Sequence, residues 1–185
     1  LVNGNKGRIR AYRNSVRWEC KTVRERKETM QLYDTQLENG FPVLVREQEI
    51  KTEIKTIDNQ EHIYRLCKDG LQMHKRTEEY AYIIAVNTKG RILGAFEISH
   101  GTVNTTIINP REIFVKLLLL GSVCFFLVHN HPSQIVLPSY EDACITKRLQ
   151  EAGKIVGIEL LDHLIIGEDE YYSFKEEEEK QKGEE

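Results

Sequence analysis

The chain has 185 residues, 40% of them hydrophobic and 30% charged, with a formal net charge of −3. That balance excludes a disordered polyelectrolyte and a molecule that coats nucleic acid through its overall charge, and the length supports one good core with room for a small second unit. The most apolar stretch, Ile113 to Val128, is interrupted by Lys116 and Gly121-Ser122 and is too short to span a bilayer, so no membrane partner is expected.

The ends are charged with opposite sign. Residues 1–30 carry nine Lys/Arg against three Glu, and residues 168–185 carry nine acids against three Lys. Both ends read as solvated arms, the last ten residues as a disordered acidic tail. The alternative for the basic arm is contact with nucleic acid, with Trp18 as a stacking residue. The four cysteines, Cys20, Cys67, Cys124 and Cys144, form no C-x-x-C and suggest no disulfide framework. With no signal peptide at the start of a chain that lacks an initial Met, a reducing cytoplasm is expected.

In chain order, SVRWECKTV (15–23) alternates apolar and charged residues like a half-exposed strand. RERKETMQLYDTQLENG (24–40) reads as a short helix ending at Gly40, and FPVLV (41–45) as a strand. Asp58 and Glu61 form an N-cap pattern ahead of Ile63, Leu66 and Cys67, with Gly70 closing that helix. YAYIIAV (80–86), the turn residues NTKG and RILGAFEIS (91–99) make a hairpin. Asn109-Pro110 opens a helix that stops at Gly121. VCFFLV (123–128) has no polar alternation, as expected of a strand covered on both faces. Ser139 starts a helix with Ile145, Leu149 and Ala152 on one face and Gly153 at its end. Residues 155–166 give one or two strands and YYSF (171–174) a last short one. This interleaving predicts an α/β chain of α+β type, a mixed β-sheet sandwiched by helices.

The chemistry concentrates in HNHPSQIVLPSYED (129–142). In extended backbone, His129 and His131 point to the same side, roughly 6.5 Å apart, so both imidazoles can converge on one ion. Zinc favours His nitrogen, and a catalytic zinc takes three protein ligands and keeps one position open. Asp142, in the first turn of the helix that Ser139 caps, can return to the same spot. The plainer reading is a pair of satisfied histidines and a Ser-x-x-Asp helix cap without metal. Two prolines and the emergence of the loop from a buried strand end favour the site, since α/β proteins place chemistry at such ends.

H-x-H-P, six residues, then S-x-x-D resembles the motif of the JAMM (MPN-plus) metalloproteases, matched by His129, His131, Pro132, Ser139 and Asp142. ISHGTVNTT (98–106), NPREIF (109–114), HNHPS (129–133), LPSYED (137–142) and LLDHLIIG (160–167) resemble, in order, the RadC-like branch. The resemblance covers roughly residues 58–175. Residues 1–57 fall outside it as an amino-terminal extension, without the helix-hairpin-helix front end of full-length RadC proteins. Gln134 stands where the family usually has Gly, a departure that bears on loop shape.

The resemblance implies a JAB/MPN (cytidine-deaminase-like) architecture and a bound Zn2+ held by His129, His131 and Asp142. It implies Glu97 as the carboxylate that takes a proton from water and hands it to the leaving amine, and Ser139 as the oxyanion donor. The bland readings are an edge-strand acid for Glu97 and a cap for Ser139. Asp162-His163 is read as structural or as support for the ligands, with orientation of a metal-bound imidazole as the sharper alternative. Adjacent strand residues face opposite ways, so Asp162 and His163 do not share one ion.

Two functions of different class follow. One is a zinc hydrolase cleaving a peptide or isopeptide amide in a protein or peptide substrate. The other is a DNA-associated repair or recombination accessory protein of the RadC type, using the basic residues 1–30. A zinc nucleobase deaminase is rejected, because the chain lacks H-x-E followed by P-C-x-x-C.

Overall fold

The computed structural model describes residues 29–101 and 108–183. The strand expected over 15–23, Trp18 and most of the basic arm lie outside the described residues, as do residues 102–106 of ISHGTVNTT.

The described residues build a seven-stranded sheet in the order β2-β1-β4-β3-β5-β6-β7. The strands are β1 Thr29–Glu38, β2 Phe41–Lys51, β3 Glu79–Val86, β4 Ile92–Gly101, β5 Cys124–Asn130, β6 Glu159–Ile166 and β7 Tyr171–Ser173. Four helices accompany them: α1 Gln60–Arg65, α2 Pro110–Leu120, α3 Tyr140–Val156 and α4 Phe174–Gly183. β1–β4 and β5–β6 pair parallel and the other neighbours antiparallel, so the sheet is mixed as expected.

The alternation of side chains along the strands divides the core into two layers. Tyr82, Ile84, Val86, Phe126 and Val128 face α1 and the π-helical turn Leu66–Gly70 that continues it. Ile83, Ala85, Phe125 and Leu127 face Ile113 and Leu117 of α2 and Leu149 of α3. Helices therefore cover both faces, which is why VCFFLV carries no polar alternation.

Several boundaries differ from expectation for identifiable reasons. The helix expected over 24–40 is, in its described part, strand β1. Asn39 and Gly40 take φ +52° and +83°, a two-residue turn that joins Glu38 to Phe41 and sets the β1–β2 register. Met30 and Leu32 alternate into the core from that strand. The cap of α1 is Asn59 rather than Asp58, its side chain accepting from the His62 N–H. The segment from residue 176, expected as a disordered tail, continues α4 to Gly183. Asn109, Pro110 and the left-handed Gly121 frame α2 as expected.

Gly153 does not end α3, which runs on to a left-handed cap at Gly157. A Cβ at Gly153 would stand 2.4 Å from the Ile158 carbonyl oxygen, because the chain doubles back over the helix on its way into β6. Gly153→Ala gains up to about 1 kcal/mol of helix propensity but overpacks against backbone, typically at a cost of about 1–3 kcal/mol. The expected outcome is net destabilisation, read as a lower urea midpoint with unchanged slope.

Candidate metal centre

β5, α3 and β6 form a strand–helix–strand unit whose outer strands are parallel, and residues 131–139 connect β5 to α3. Three of the expected residues meet at this connection. His129 continues the inward row of Phe125 and Leu127, and His131 follows it on the same side. The two Nε2 atoms lie 3.0 Å apart. Asp142 reaches both, with Oδ1 3.3 Å from His129 Nε2 and Oδ2 3.7 Å from His131 Nε2.

Ser139 caps α3 in a capping box. Its hydroxyl donates to Asp142 Oδ2 at 2.6 Å and accepts from the Asp142 N–H at 3.1 Å, and its own N–H donates to Oδ2 at 2.8 Å. The cap thus aims the carboxylate: Oδ2 is held by Ser139 while Oδ1 faces His129. Gln134, where the family usually has Gly, takes the left-handed conformation at φ +62°. Its N–H donates to the His131 carbonyl at 2.9 Å and its side-chain amide to the His74 carbonyl at 3.1 Å. These bonds hold an angle that a side chain dislikes.

Glu97 is not brought to this cluster. It pairs with Tyr82, whose side chain belongs to the layer facing α1, and its neighbour Phe96 faces α2 and α3. The Glu97 carboxylate accepts from the Tyr82 hydroxyl at 2.9 Å and is 2.8 Å from His100 Nδ1. It therefore sits on the opposite face of the sheet from His129. The carboxylate at the cluster is Glu79, which the sequence reading missed. One ligand atom each from Glu79, His129, His131 and Asp142 lie within 4.8 Å of one another.

Strand pairing explains Glu79. Ala81 stands opposite His129, so Glu79, two residues earlier on the same face, falls beside His131. Asn130 fastens this register. Its side-chain oxygen accepts from the Tyr80 N–H at 2.9 Å and its amide donates to the Glu78 carbonyl at 3.0 Å, gripping the backbone on both sides of Glu79. The signal in the sequence was the odd-numbered row Glu79, Ala81, Ile83, Ala85. Using it required knowing that β3 lies next to β5.

Protonation follows from these surroundings. Burial holds the His129 pKa down at about 4, against the pull of Asp142. Burial likewise holds His163 well below its ordinary value, with His129 adding to the effect. His131 is raised, first by its hydrogen bond to Asp142 and against the cost of burial. Burial acts to raise Asp142, but the hydrogen bonds of His131 and Ser139 and the charge of His129 outweigh it and take its pKa well down. Glu79 is raised by burial and by Asp142, against the effect of His131.

The donor set fits a divalent cation. His131 Nδ1 is 2.6 Å from the Ile135 carbonyl, which can only accept, so Nδ1 carries the proton and Nε2 is bare. A bare imidazole nitrogen, a second imidazole nitrogen and a carboxylate face one point, an arrangement that suits a metal cation. Glu79 Oε2, buried beside them, has no hydrogen-bond partner among the described residues. Two imidazoles and carboxylate oxygen suit zinc.

A family model described as the RadC-like JAB domain matches residues 57–180. A UPF0758 protein of Alkaliphilus metalliredigens is 50% identical over 105 residues, covering 57% of this chain and 45% of that protein. The UPF0758 protein YsxA of Bacillus subtilis is 37% identical over 134 residues, 69% of this chain and 58% of its own length. A UPF0758 protein of Listeria welshimeri is 38% identical over 152 residues, 76% of this chain and 68% of its own length. The chain spans about half the length of several of the curated relatives it matches. With two thirds of its residues under the matching model and the motif residues gathered at one strand end, the chain belongs to the RadC-like JAB domain family.

Proposed function

We propose that this protein is a zinc-dependent hydrolase of JAMM type that cleaves a peptide or isopeptide amide bond. The observation that carries this reading is the convergence of His129, His131 and Asp142 on one point beside the half-buried Glu79. Zinc held there supplies polarisation of a carbonyl and a lowered pKa for water. His129, His131 and Asp142 hold the ion. Glu79 takes the proton from the attacking water and delivers it to the leaving amine, a role suited to a carboxyl whose pKa burial has raised. Ser139, beside Asp142, serves the oxyanion only if its hydroxyl turns away from Oδ2, so its first role is to aim the carboxylate. Exposed Ile135 and Leu137 on the same connection, with Tyr140 at the start of α3, give a polypeptide apolar surface next to the site.

The test compares zinc-loaded wild type with Glu79→Gln and Glu97→Gln on a mixture of peptides and isopeptide conjugates, with new amines read by mass spectrometry. Glu79→Gln should retain zinc and lose about 10²–10⁴-fold in cleavage, the usual scale for a general base. Glu97→Gln should behave as wild type. Cleavage by Glu79→Gln at the wild-type rate would remove it from the mechanism. The DNA-associated reading rests on residues 1–30, of which 1–28 lie outside the described residues. It predicts salt-dependent binding of duplex DNA that is lost when those residues are deleted.

A further inference from the structure

His163 occupies an unusual position for a polar ring. It is 1% exposed on β6, stacks on Phe174 with centroids 4.8 Å apart and planes 5° from parallel, and an apolar ring would fill the same space. Its two nitrogens instead connect α3 to a metal ligand. Nε2 is 2.8 Å from His129 Nδ1, and Nδ1 is 2.6 Å from Thr146 Oγ1. Thr146, also buried, is 2.6 Å from the main-chain carbonyl of Asp142.

Counting protons along this chain leaves one assignment for a neutral ring. The Asp142 carbonyl can only accept, so the Thr146 hydroxyl gives it its single proton. Thr146 Oγ1 then presents lone pairs, and His163 Nδ1 carries the N–H that meets them. A neutral imidazole has one N–H, so His163 Nε2 is an acceptor. His129 Nδ1 must donate to it, and His129 Nε2 is left bare towards His131 Nε2 and Asp142 Oδ1. The relay starts at the main chain of one metal ligand and ends on the ring of another. It crosses from α3 through β6 to β5.

We propose that His163 and Thr146 are positioning residues that hold His129 in the tautomer with a bare Nε2, and so set the affinity of the site for zinc. The inference rests on the metal reading given above and adds residues to it that lie outside the ligand set. Neither residue touches the ion or the substrate. Each acts through His129, whose ring would otherwise rotate about χ2 or carry its proton on the wrong nitrogen.

The first test needs no variant. Long-range 1H–15N correlation spectra of the metal-free wild type should place the imidazole proton on Nδ1 of both His129 and His163; a proton on His129 Nε2 overturns the relay. The second test measures zinc affinity by competition with a chromophoric chelator. His163→Phe preserves the stacking ring and removes the acceptor, and Thr146→Val preserves the shape and removes the hydroxyl. Each should weaken zinc binding about 10–100-fold, while Thr146→Ser stays within about threefold of wild type. If His163→Phe does not fold, the Thr146 pair carries the test. Zinc uptake by wild type together with unchanged affinity in the folded variants sinks the relay alone. Failure of the wild type to take up zinc sinks the metal reading, and the affinity claim with it.

Discussion

His129→Ala should abolish both zinc uptake and the thermal stabilisation that zinc confers on the wild type. A ligand that binds only the folded state stabilises it by about 4 kcal/mol at a thousandfold excess over Kd. For a chain of this size, about 1 kcal/mol moves the melting point by roughly 2–4 °C, so zinc should raise that of the wild type by roughly 8–16 °C. The variant should show no such rise, and elemental analysis should find about one zinc per wild-type chain and none per variant, as a site built on these few ligands requires. Asp142→Asn is the companion variant, because Asn keeps a capping side chain on the first turn of α3 while removing the charge. Full zinc stabilisation in His129→Ala would show that the ion sits elsewhere. His131 then decides how acid releases the metal: as the ligand whose pKa is raised, it competes with protons first on acidification.

The metal-free protein should lose stability steeply between neutral pH and pH 5. His129 titrates near 4 in the fold and near its ordinary 6.5 when unfolded. A histidine with a depressed folded pKa leaves the unfolded chain to bind the proton first, so stability falls as pH drops through 6.5 and levels off below the folded value. The full difference corresponds to about 3 kcal/mol from His129, of which about 2 kcal/mol is lost by pH 5. His163 acts in the same direction for the same cause. His131 opposes them: its stabilisation is complete below the ordinary pKa and fades as pH rises through the raised one. Asp142, held low, adds its loss only below the ordinary carboxylate range. Urea titrations from pH 7.5 to 5 should show this slope in wild type and a shallower one in His129→Phe. A midpoint that holds or rises towards pH 5 would contradict it.

What the sequence disclosed depended on whether the information was local. Asn109, Pro110 and Gly121 are consecutive signals, and they bound α2 as read. The two histidines and Asp142 needed only a strand end, a short connection and a helix cap, all within fourteen residues of sequence. Glu79 and Glu97 could not be told apart in this way. Both lie on one hairpin, and the choice depends on which of its strands meets β5 and on which face. The same non-locality left the role of His163 open between support and orientation of a metal-bound imidazole, because its partners lie 34 and 17 residues away. The β1–β2 hairpin failed differently. Asn39-Gly40 is a strong local turn signal, but Gly40 reads equally as the end of a helix over 24–40.

The grip of Asn130 on the backbone either side of Glu79 also bears on where the chain can change length. Because faces alternate along a pleated strand, one residue inserted between Glu79 and Tyr82 would turn the carboxylate to the far side of the sheet. An insertion among residues 75–77, ahead of the gripped segment, leaves that geometry alone. Drift in length among relatives should therefore be free up to the last residue before the clamp and forbidden just after it.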